Sequence, residues 1–397
     1  MTISKHIPKR RFKEFAVDRE WLELKLGQLM DVGSVKRVHQ SDWREKGIPF
    51  LRARDIVAEA KNEKLENPLY IDSELYNSYT ALTGKVKKGD ILVTGVGTIG
   101  VPLLIKNEQP LYFKDGNIIW FKNNNSLDGN FFYYSFISET IQKFISDVAG
   151  IGTVGTYTID SGKKTPIYLP TSKEEQILIG KFFQNIDSLI SLQQHKLDKL
   201  KNLKKSYLAE LFPVEGERVP KRRFPGFEGD WERKKVSELF KITRGYVLAA
   251  TRTESNKSKT TPYPVYSSQT KDKGLMGFYS KYLYEDAITW TTDGANAGEV
   301  NFREGKFYCT NVCGVLLSKE VQADPMIAEA INNIAKKYVS YVGNPKLMNN
   351  VMADIEISIP QTSSEREKIS QFFTDIDKRI SLQQEKLDKL KDLKKAY

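Results

Sequence analysis

Two stretches of the chain repeat apolar residues at alternating steps of three and four positions, with polar residues between them. The seam positions are Ile179, Phe183, Ile186, Ile190, Gln193, Leu197 and Leu200 in the first stretch, and Ile369, Phe373, Ile376, Ile380, Gln383, Leu387 and Leu390 in the second. This spacing is typical of helices that pack along a coiled-coil seam. Thr or Ser stands before acidic residues at the start of each stretch, as at a helix cap. The pattern predicts two long amphipathic helices.

The two predicted helices are near-copies of one another. Residues 182–207 and 372–397 match at 19 of 26 positions without a gap. A long amphipathic helix must bury its apolar stripe against a partner, and the repeat provides one. We therefore predict a pair of antiparallel coiled-coil helices with pseudo-twofold symmetry. Gln193 and Gln383 should face each other in it, where they either fix the register as a buried polar pair or are simply tolerated on the seam.

Two modules of mixed structure accompany these helices, and they share almost no sequence. Short apolar runs between turn residues predict strands, for example over 91–94, 118–121, 287–292 and 314–317. One helix is predicted near the end of each module, over 129–148 and 324–342. The fold class is therefore α+β, with a repeated helical scaffold that carries two different mixed α/β modules.

Short motifs mark where each module begins and ends. The sequence PKRRF precedes each module, and an apolar run ending in proline closes it. These marks divide the chain into an N-terminal module (1–170), a central helix (171–212), a linker with the second module (213–360) and a C-terminal helix (361–397). The basic residues 9–11 and 221–223 could bind phosphates or a partner subunit, but their recurrence favours a role in the scaffold.

Charge and cysteine content narrow the class of protein. The 397 residues carry a net charge of +11, from 61 Lys and Arg against 50 Asp and Glu. This excess of positive charge suggests a polyanionic partner, of which nucleic acid is the first candidate. An ordinary basic bacterial protein can carry the same excess. Two cysteines and three histidines provide neither a disulfide framework nor an evident zinc site. We expect no metal, no membrane span, no secretory signal and a cytoplasmic location.

The motifs that suggest catalysis lack the structural context that their chemistry requires. Residues 95–100 match G-x-G-x-x-G, but 101–105 reads as a strand where nucleotide binding needs a helix. We therefore predict a glycine turn between two strands. Asp293 with Glu304 and Lys306 has the residue types of a metal nuclease at a loose spacing that arises often by chance. We predict no catalytic residue.

The ordered set of motifs resembles the specificity (S) subunit of type I restriction–modification systems. The first set is WLELKLG at 21–27, KGDILVTGVGTIGV at 88–101, and 167–170 followed by a helix. The second set opens at Trp231 and includes ITWTTDGANAG at 288–298 and the segment 357–397. The resemblance covers essentially the whole chain. The second module departs from the first where 291–298 replaces the glycine turn.

The resemblance implies a non-catalytic DNA-binding subunit in the bacterial cytoplasm, associated with the nucleoid. Two target recognition domains would each read one half of a bipartite, asymmetric site in double-stranded DNA. The helices would set the gap between the halves and dock two modification (methyltransferase) subunits. This chain would hold no cofactor, since S-adenosylmethionine, ATP and Mg would belong to the modification and restriction (endonuclease and translocase) subunits.

Polar and basic residues in predicted loops are the candidate DNA contacts, because bases are distinguished through hydrogen bonds to their edges. The candidates are Lys36, Arg37, Arg52, Arg54 and Thr98 in the first module, and Arg244, Tyr246, Ser268, Gln269, Lys271, Thr292 and Asn296 in the second. Two alternatives stay open at this point, a stand-alone nuclease or methyltransferase and a coiled-coil adaptor that binds only protein.

Overall fold

The computed structural model describes residues 5–6, 8, 10–16, 20–61, 63–150, 155–269 and 272–396. The chain divides into two compact units. The first unit holds the residues up to Ser191 and those from Leu390 onward, and the second holds Leu192–Lys389. Each unit contains one mixed module with parts of both long helices.

The described residues of the first unit form ten strands in three small sheets. The strands are β1 (Lys5–His6), β2 (Trp21–Lys25), β3 (Asp31–Gly33), β4 (Ile48–Leu51), β5 (Leu69–Ile71), β6 (Ile91–Thr94), β7 (Pro102–Leu104), β8 (Tyr112–Phe113), β9 (Ile118–Lys122) and β10 (Pro166–Leu169). The strand orders are β3-β9-β6-β7, β5-β4-β8 and β1-β2-β10. Strands β6 and β9 are central and read as continuous apolar runs because both faces are buried.

Helices cover the sheets of the first module. They are α1 (Leu26–Leu29), α2 (Ala53–Ala60), α3 (Ser73–Thr83), α4 (Gly129–Phe136), α5 (Glu139–Ala149) and α6 (Ile159–Lys164). The single helix predicted over 129–148 is wrong, since α4 and α5 are separate. Ser138 takes the extended backbone of an N-cap residue before Glu139, which ends one helix and starts the next.

The second unit contains a six-stranded sheet of order β12-β17-β15-β16-β13-β14 and a two-stranded sheet, β11-β18. Its strands and short helices follow the long helix α7 (Lys173–Glu210) and are β11 (Glu232–Lys235), α8 (Val236–Leu239), β12 (Phe240–Arg244), β13 (Tyr263–Tyr266), β14 (Leu275–Tyr279), β15 (Tyr284–Thr291), β16 (Val300–Cys309), β17 (Cys313–Ser318), α9 (Pro325–Ala335), α10 (Asn349–Asp354) and β18 (Glu356–Ile359). The second long helix, α11 (Ser363–Ala396), ends the chain.

The helix predicted over 324–342 is too long, because α9 ends at Ala335. A single 3-10 turn, Lys336–Tyr338, follows it. Val339 then takes extended backbone and is buried in the core of the module, which turns the chain into a loop instead of another helical turn.

The two modules pair their strands in the same way. The antiparallel pairs β3·β9, β9·β6 and β6·β7 correspond to β12·β17, β17·β15 and β15·β16. The parallel pair β4·β8 and the antiparallel pair β4·β5 correspond to β13·β16 and β13·β14. Strands β7 and β8 are separate, whereas β16 is one continuous strand, so two sheets of the first module become one sheet in the second.

The two long helices run antiparallel where they meet in the second unit. The rings of Tyr207 and Phe372 are 4.7 Å apart, and Gln383 Nε2 donates to the Gln193 carbonyl oxygen at 3.1 Å. Residue numbers that increase along α7 are therefore paired with residue numbers that decrease along α11, as in an antiparallel pair. The two glutamine side chains also contact each other, as predicted from the seam. Every seam position predicted from the sequence is buried or half-buried on its helix.

Each PKRRF motif is bound to the start of a long helix. Arg11 Nε and Nη2 donate to the two carboxylate oxygens of Glu175, both at 2.6 Å, and Arg223 holds Glu365 in the same way at 2.7 and 2.8 Å. Both carboxylates are buried. These bidentate pairs give the third basic residue of each motif a role in the scaffold. Lys9 lies outside the described residues.

Candidate nucleic-acid interface

In the second module, the loops at one edge of the six-stranded sheet are joined by backbone hydrogen bonds. Gly245, which follows β12, donates to the first residue of β17 at 3.0 Å. Thr310 donates to Tyr266 at the end of β13, and Thr292, which follows β15, donates to Val312, both at 2.9 Å. The loops after β12, β13 and β15 and the turn 310–312 therefore form one continuous edge, called here the second loop edge.

The described residues that the sequence predicted as DNA contacts in this module lie on the second loop edge. They are Arg244, Tyr246, Ser268, Gln269, Thr292 and Asn296. Arg244, Tyr246 and Gln269 are exposed, and Asn296 donates through Nδ2 to the Gln269 carbonyl oxygen at 3.3 Å. The side chains of three different loops are thus available to a ligand at this edge. Lys271 lies outside the described residues.

Thr292 differs from the other predicted contacts because its side chain is buried. Its hydroxyl oxygen is 2.7 Å from Asp293 Oδ2 and 3.0 Å from the Val312 carbonyl oxygen. A hydroxyl held in this way supports the loop more directly than it could contact a ligand.

Sequence reasoning missed two parts of the second loop edge. One is the exposed Asn311 in the turn 310–312. The other is a hairpin over 340–346, whose ends exchange backbone hydrogen bonds of 2.8 and 2.9 Å and whose tip exposes 69% of Tyr341 and 94% of Val342. The Gly-Asn-Pro sequence at 343–345 is a turn signal that could have revealed it, but these residues follow directly on the predicted helix.

The first module has an equivalent edge, called here the first loop edge. Gly95, after β6, donates to the Asn117 carbonyl oxygen at 2.8 Å and accepts from Tyr157 at 2.9 Å. Lys114, after β8, donates to Leu51 at the end of β4 at 2.8 Å. The loops after β4, β6 and β8 are thereby fixed to one another. The loop after β3 joins them, because the hydroxyl of Tyr112 in β8 donates to the Lys36 carbonyl oxygen at 2.9 Å.

The predicted contacts of the first module lie in the loops that follow β3 and β6 and at the start of α2, directly after β4. Lys36, Arg37, Arg54 and Thr98 are exposed. Arg52 is half-buried, and its Nε donates to Asp55 Oδ2 at 2.8 Å while its Nη2 donates to Asp55 Oδ1 at 2.9 Å. The Arg52 guanidinium is thus already engaged at the start of α2.

The glycine motif forms a turn between β6 and β7, which confirms the sequence prediction. Gly97 and Gly100 both have a φ of +77°, which glycine adopts without strain. The Gly100 N–H donates to the Thr94 carbonyl oxygen at 2.8 Å, and the Gly298 N–H donates to that of Thr291 at 2.9 Å. The segment 291–298 is therefore the counterpart of 94–100, which contains the glycine turn, and is one residue longer.

The two cysteines of the chain are buried and unpaired. Burial raises the pKa of the Cys313 thiol to about 11 and also raises that of Cys309, so neither is a thiolate nucleophile at neutral pH. Within the described ranges, no group of three or more His, Cys, Asp or Glu residues is placed to hold a metal ion. Among the same residues, no helix has the length and apolar character needed to cross a membrane.

Two modules of one strand order, with different loop edges and near-identical helices, define a duplicated two-module binding protein. A family model described as the type I restriction modification DNA specificity domain matches the chain twice, over residues 18–202 and 228–392. The chain belongs to this family.

Relatives with this family description share parts of the sequence. A Mycoplasma pneumoniae protein, named as the N-terminal part of a type I specificity subunit, is 38% identical over 126 residues, which are 31% of this chain and 66% of that protein. A Haemophilus influenzae protein named as a type I restriction enzyme specificity subunit is 30% identical over 171 residues, 43% of this chain and 41% of that protein. The chain thus spans less than two thirds of either relative.

Solved structures share the fold across the whole chain. The S subunit of a type I restriction-modification system from M. genitalium superposes with a TM-score of 0.69 at 16% identity, covering 98% of this chain and 97% of that one. A chain from a structure of type I complex assembly and conformational transition gives a TM-score of 0.52 at 14% identity, covering 95% and 96%. At these identities the likeness concerns the fold alone.

Proposed function

We propose that this chain is the DNA specificity subunit of a type I restriction–modification complex, in which each loop edge reads one half of a bipartite site. The observation that carries the proposal is that one strand order presents two different loop edges on near-identical helices. Two different reading surfaces on one scaffold fit a DNA site whose two halves differ in sequence. The net charge of +11 suits a polyanionic partner.

The polar side chains that are exposed or half-buried at each edge are the proposed readers, because base edges are read by hydrogen bonds and phosphates by basic residues. On the first edge these are Lys36, Arg37, Arg54 and Thr98, and on the second Arg244, Tyr246, Ser268, Gln269 and Asn296. We add Asn311 to the second set because its side chain is exposed in the same network of loops. Arg52 and Thr292 are assigned to the scaffold, since their polar groups already have partners.

The long helices are the proposed docking surface for two modification subunits. Leu192 and Leu382 occupy equivalent positions of the two copies and are 47% and 49% exposed. Leu203 and Leu393 form a second equivalent pair, 45% and 39% exposed. Apolar residues exposed at the same positions of both copies favour two identical partners.

The chemistry of the proposed complex belongs to its other subunits. Modification subunits would use S-adenosylmethionine to methylate adenine, and restriction subunits would use ATP and Mg²⁺ for translocation and cleavage. This chain would work in the bacterial cytoplasm as a non-catalytic subunit that holds no cofactor of its own.

The test is an exchange of one module in the full chain, assembled with the modification subunits of its host. Residues 21–170 are replaced by the corresponding module of another family member, and methylated adenines are mapped by sequencing. We expect one half of the recognised sequence to change, while the other half stays as in the wild type. As a matched variant, Asn311→Ala should weaken discrimination in the opposite half alone.

Two outcomes contradict the proposal. One is a change in both halves of the recognised sequence after exchange of one module. The other is methylation or cleavage of DNA by the purified chain without any added subunit.

A further inference from the structure

Asp377 on α11 connects the helical scaffold to the second module through two lysines. Lys204 Nζ on α7 donates to Asp377 Oδ1 at 2.8 Å and to Glu329 Oε1 on α9 at 2.5 Å. Lys273 Nζ donates to Asp377 Oδ2 at 3.1 Å. Burial opposes ionisation of this carboxyl, but the two lysines outweigh it and hold the pKa of Asp377 below its ordinary value. The aspartate is therefore a charged anchor for Lys273.

The backbone at Lys273 has an unfavourable conformation. Asp272 and Lys273 both have a φ of +50°, in the left-handed region that residues other than glycine seldom adopt. Such strain persists only where the surrounding contacts impose it. Here Arg303 Nη2 donates to the Lys273 carbonyl oxygen at 2.7 Å, so Lys273 is held at its side chain by Asp377 and at its backbone by Arg303.

Arg303 is itself fixed inside the module. It is 8% exposed, its Nε donates to Thr289 Oγ1 at 3.0 Å, and its guanidinium lies 3.7 Å from the centre of the Tyr266 ring. We call the contacts from Asp377 through Lys273 to Arg303 the tether. One end of the tether is on the long helix, and the other is in the six-stranded sheet.

The tether is connected by backbone hydrogen bonds to two of the proposed base-reading residues. The Ser267 N–H donates to the carbonyl oxygen of Gly274, the residue after Lys273, at 2.8 Å. Ser268 and Gln269 follow directly, and the Gln269 carbonyl oxygen accepts a hydrogen bond from Asn296 at 3.3 Å. The backbone that carries two proposed readers is therefore aligned by the residues of the tether.

In the described residues of the first unit, the lysine–aspartate pair recurs with a different contact to the module. Lys394 Nζ donates to Asp187 Oδ1 at 2.6 Å, at positions equivalent to Lys204 and Asp377. The contact from the module comes from Tyr134 of α4, whose hydroxyl donates to Asp187 Oδ2 at 2.8 Å. The hydrogen bonds of Asp187 to Lys394 and Tyr134 join the long helices to α4 and include no residue of the loops after β3, β4 and β6.

We propose that Asp377, acting through Lys273 and Arg303, is a positioning residue for sequence selection by the second module, whereas Asp187 only seats the first module. The inference rests on the proposed function, because it assigns a reading role to Ser268 and Gln269. It makes the helical scaffold part of base selection at one half of the site and leaves the other half independent of it.

The test compares Asp377→Asn and Lys273→Met with Asp187→Asn in the full chain, assembled with its modification subunits. Methylation is measured on a library of DNA sites varied in each half. Both tether variants should lower discrimination in the second half roughly threefold to tenfold, since bases are then read from a less ordered loop. Discrimination in the first half should stay unchanged. Asp187→Asn should leave discrimination in both halves unchanged. Lys273→Arg, which keeps the positive charge, should keep the second-half discrimination that Lys273→Met loses.

Lys273→Met separates a folding defect from lost positioning, because the Lys273 side chain is 60% exposed and its removal leaves the Lys204 pairs intact. Unchanged discrimination in a folded Lys273→Met variant overturns the inference, and so does an equal loss caused by Asp187→Asn. In the same experiment, a wild-type protein that directs methylation to a two-part sequence upholds the proposed function. A wild-type protein without sequence preference overturns both.

Discussion

The two modules have the same strand pairing and solve the same packing problem with different residues. In the first module Val93 pairs with Ile119 across β6 and β9. At the equivalent register of the second, Trp290 pairs with Gly314 across β15 and β17. Two branched side chains in one module thus correspond to one large ring over a glycine in the other. The strand pairing is thus kept at this register while both residues change, as cores tolerate exchanges that keep the total volume.

The modules differ most at their loop edges. The first module adds α2 directly after β4, where Arg52 and Arg54 lie, and its turn after β6 is rich in glycine. Among its described residues, the second has the short 3-10 turn Asp272–Gly274 after β13, and it adds the hairpin with Tyr341 and Val342 at its tip. The shared core therefore presents different chemical groups at the two edges, as the proposed reading of two different half-sites requires.

The largest effect is expected at the buried Arg–Glu pairs that bind each PKRRF motif to the start of a long helix. Glu365→Ala removes the buried carboxylate that Arg223 holds, and Glu175→Ala does the same to Arg11. Each change leaves a largely buried guanidinium without its counter-charge, which should cost about 3 kcal/mol of folding free energy. Urea unfolding of the full chain measures this loss, with the exposed Glu367→Ala as control. A large loss of unfolding free energy from one substitution and none from the other would show that the two Arg–Glu pairs are not equivalent.

A smaller effect is expected where the two cores differ. A Cβ added at Gly314 would lie 2.1 Å from the Trp290 ring, so Gly314→Ala should destabilise the chain by about 1–3 kcal/mol. Gly33→Ala on β3 is the matched control, since its Cβ would meet no atom within 4 Å. Thermal unfolding distinguishes the two variants. Equal melting temperatures would show that the ring and glycine are not packed as the structure has them.

The smallest effect on unfolding free energy is expected from protonation of the Asp377 carboxylate in the tether. The folded-state pKa of Asp377 is below its ordinary value of 3.8. Its ionised form therefore contributes stability that is fully present above this ordinary value and lost as the pH falls through the lower folded value. Wild type should exceed Asp377→Asn by about 1 kcal/mol in unfolding free energy at neutral pH. The gap should close on acidification below about pH 4. A gap that stays constant in urea unfolding down to pH 3 would contradict the charged pair.

Local patterns predicted the elements whose signals are continuous in the sequence. Strand β6 was predicted with its observed bounds, and the seam positions of both long helices are buried or half-buried. Errors arose where a helical pattern ran across a break, as at Ser138 and after Ala335. The backbone there is set by an N-cap in one case and by burial of Val339 in the other, and the apolar spacing records neither.

The sequence by itself determined that a helical scaffold is duplicated, that two different modules accompany it, and which loops carry polar side chains. These facts rest on periodicity and repetition, which need no distances. Only the tertiary structure decided that the PKRRF motifs clamp Glu175 and Glu365, that the segments 94–100 and 291–298 are counterparts, and that Asp377 holds Lys273. The partners in these contacts lie up to 164 residues apart, and such contacts form only after both strands and helices have packed.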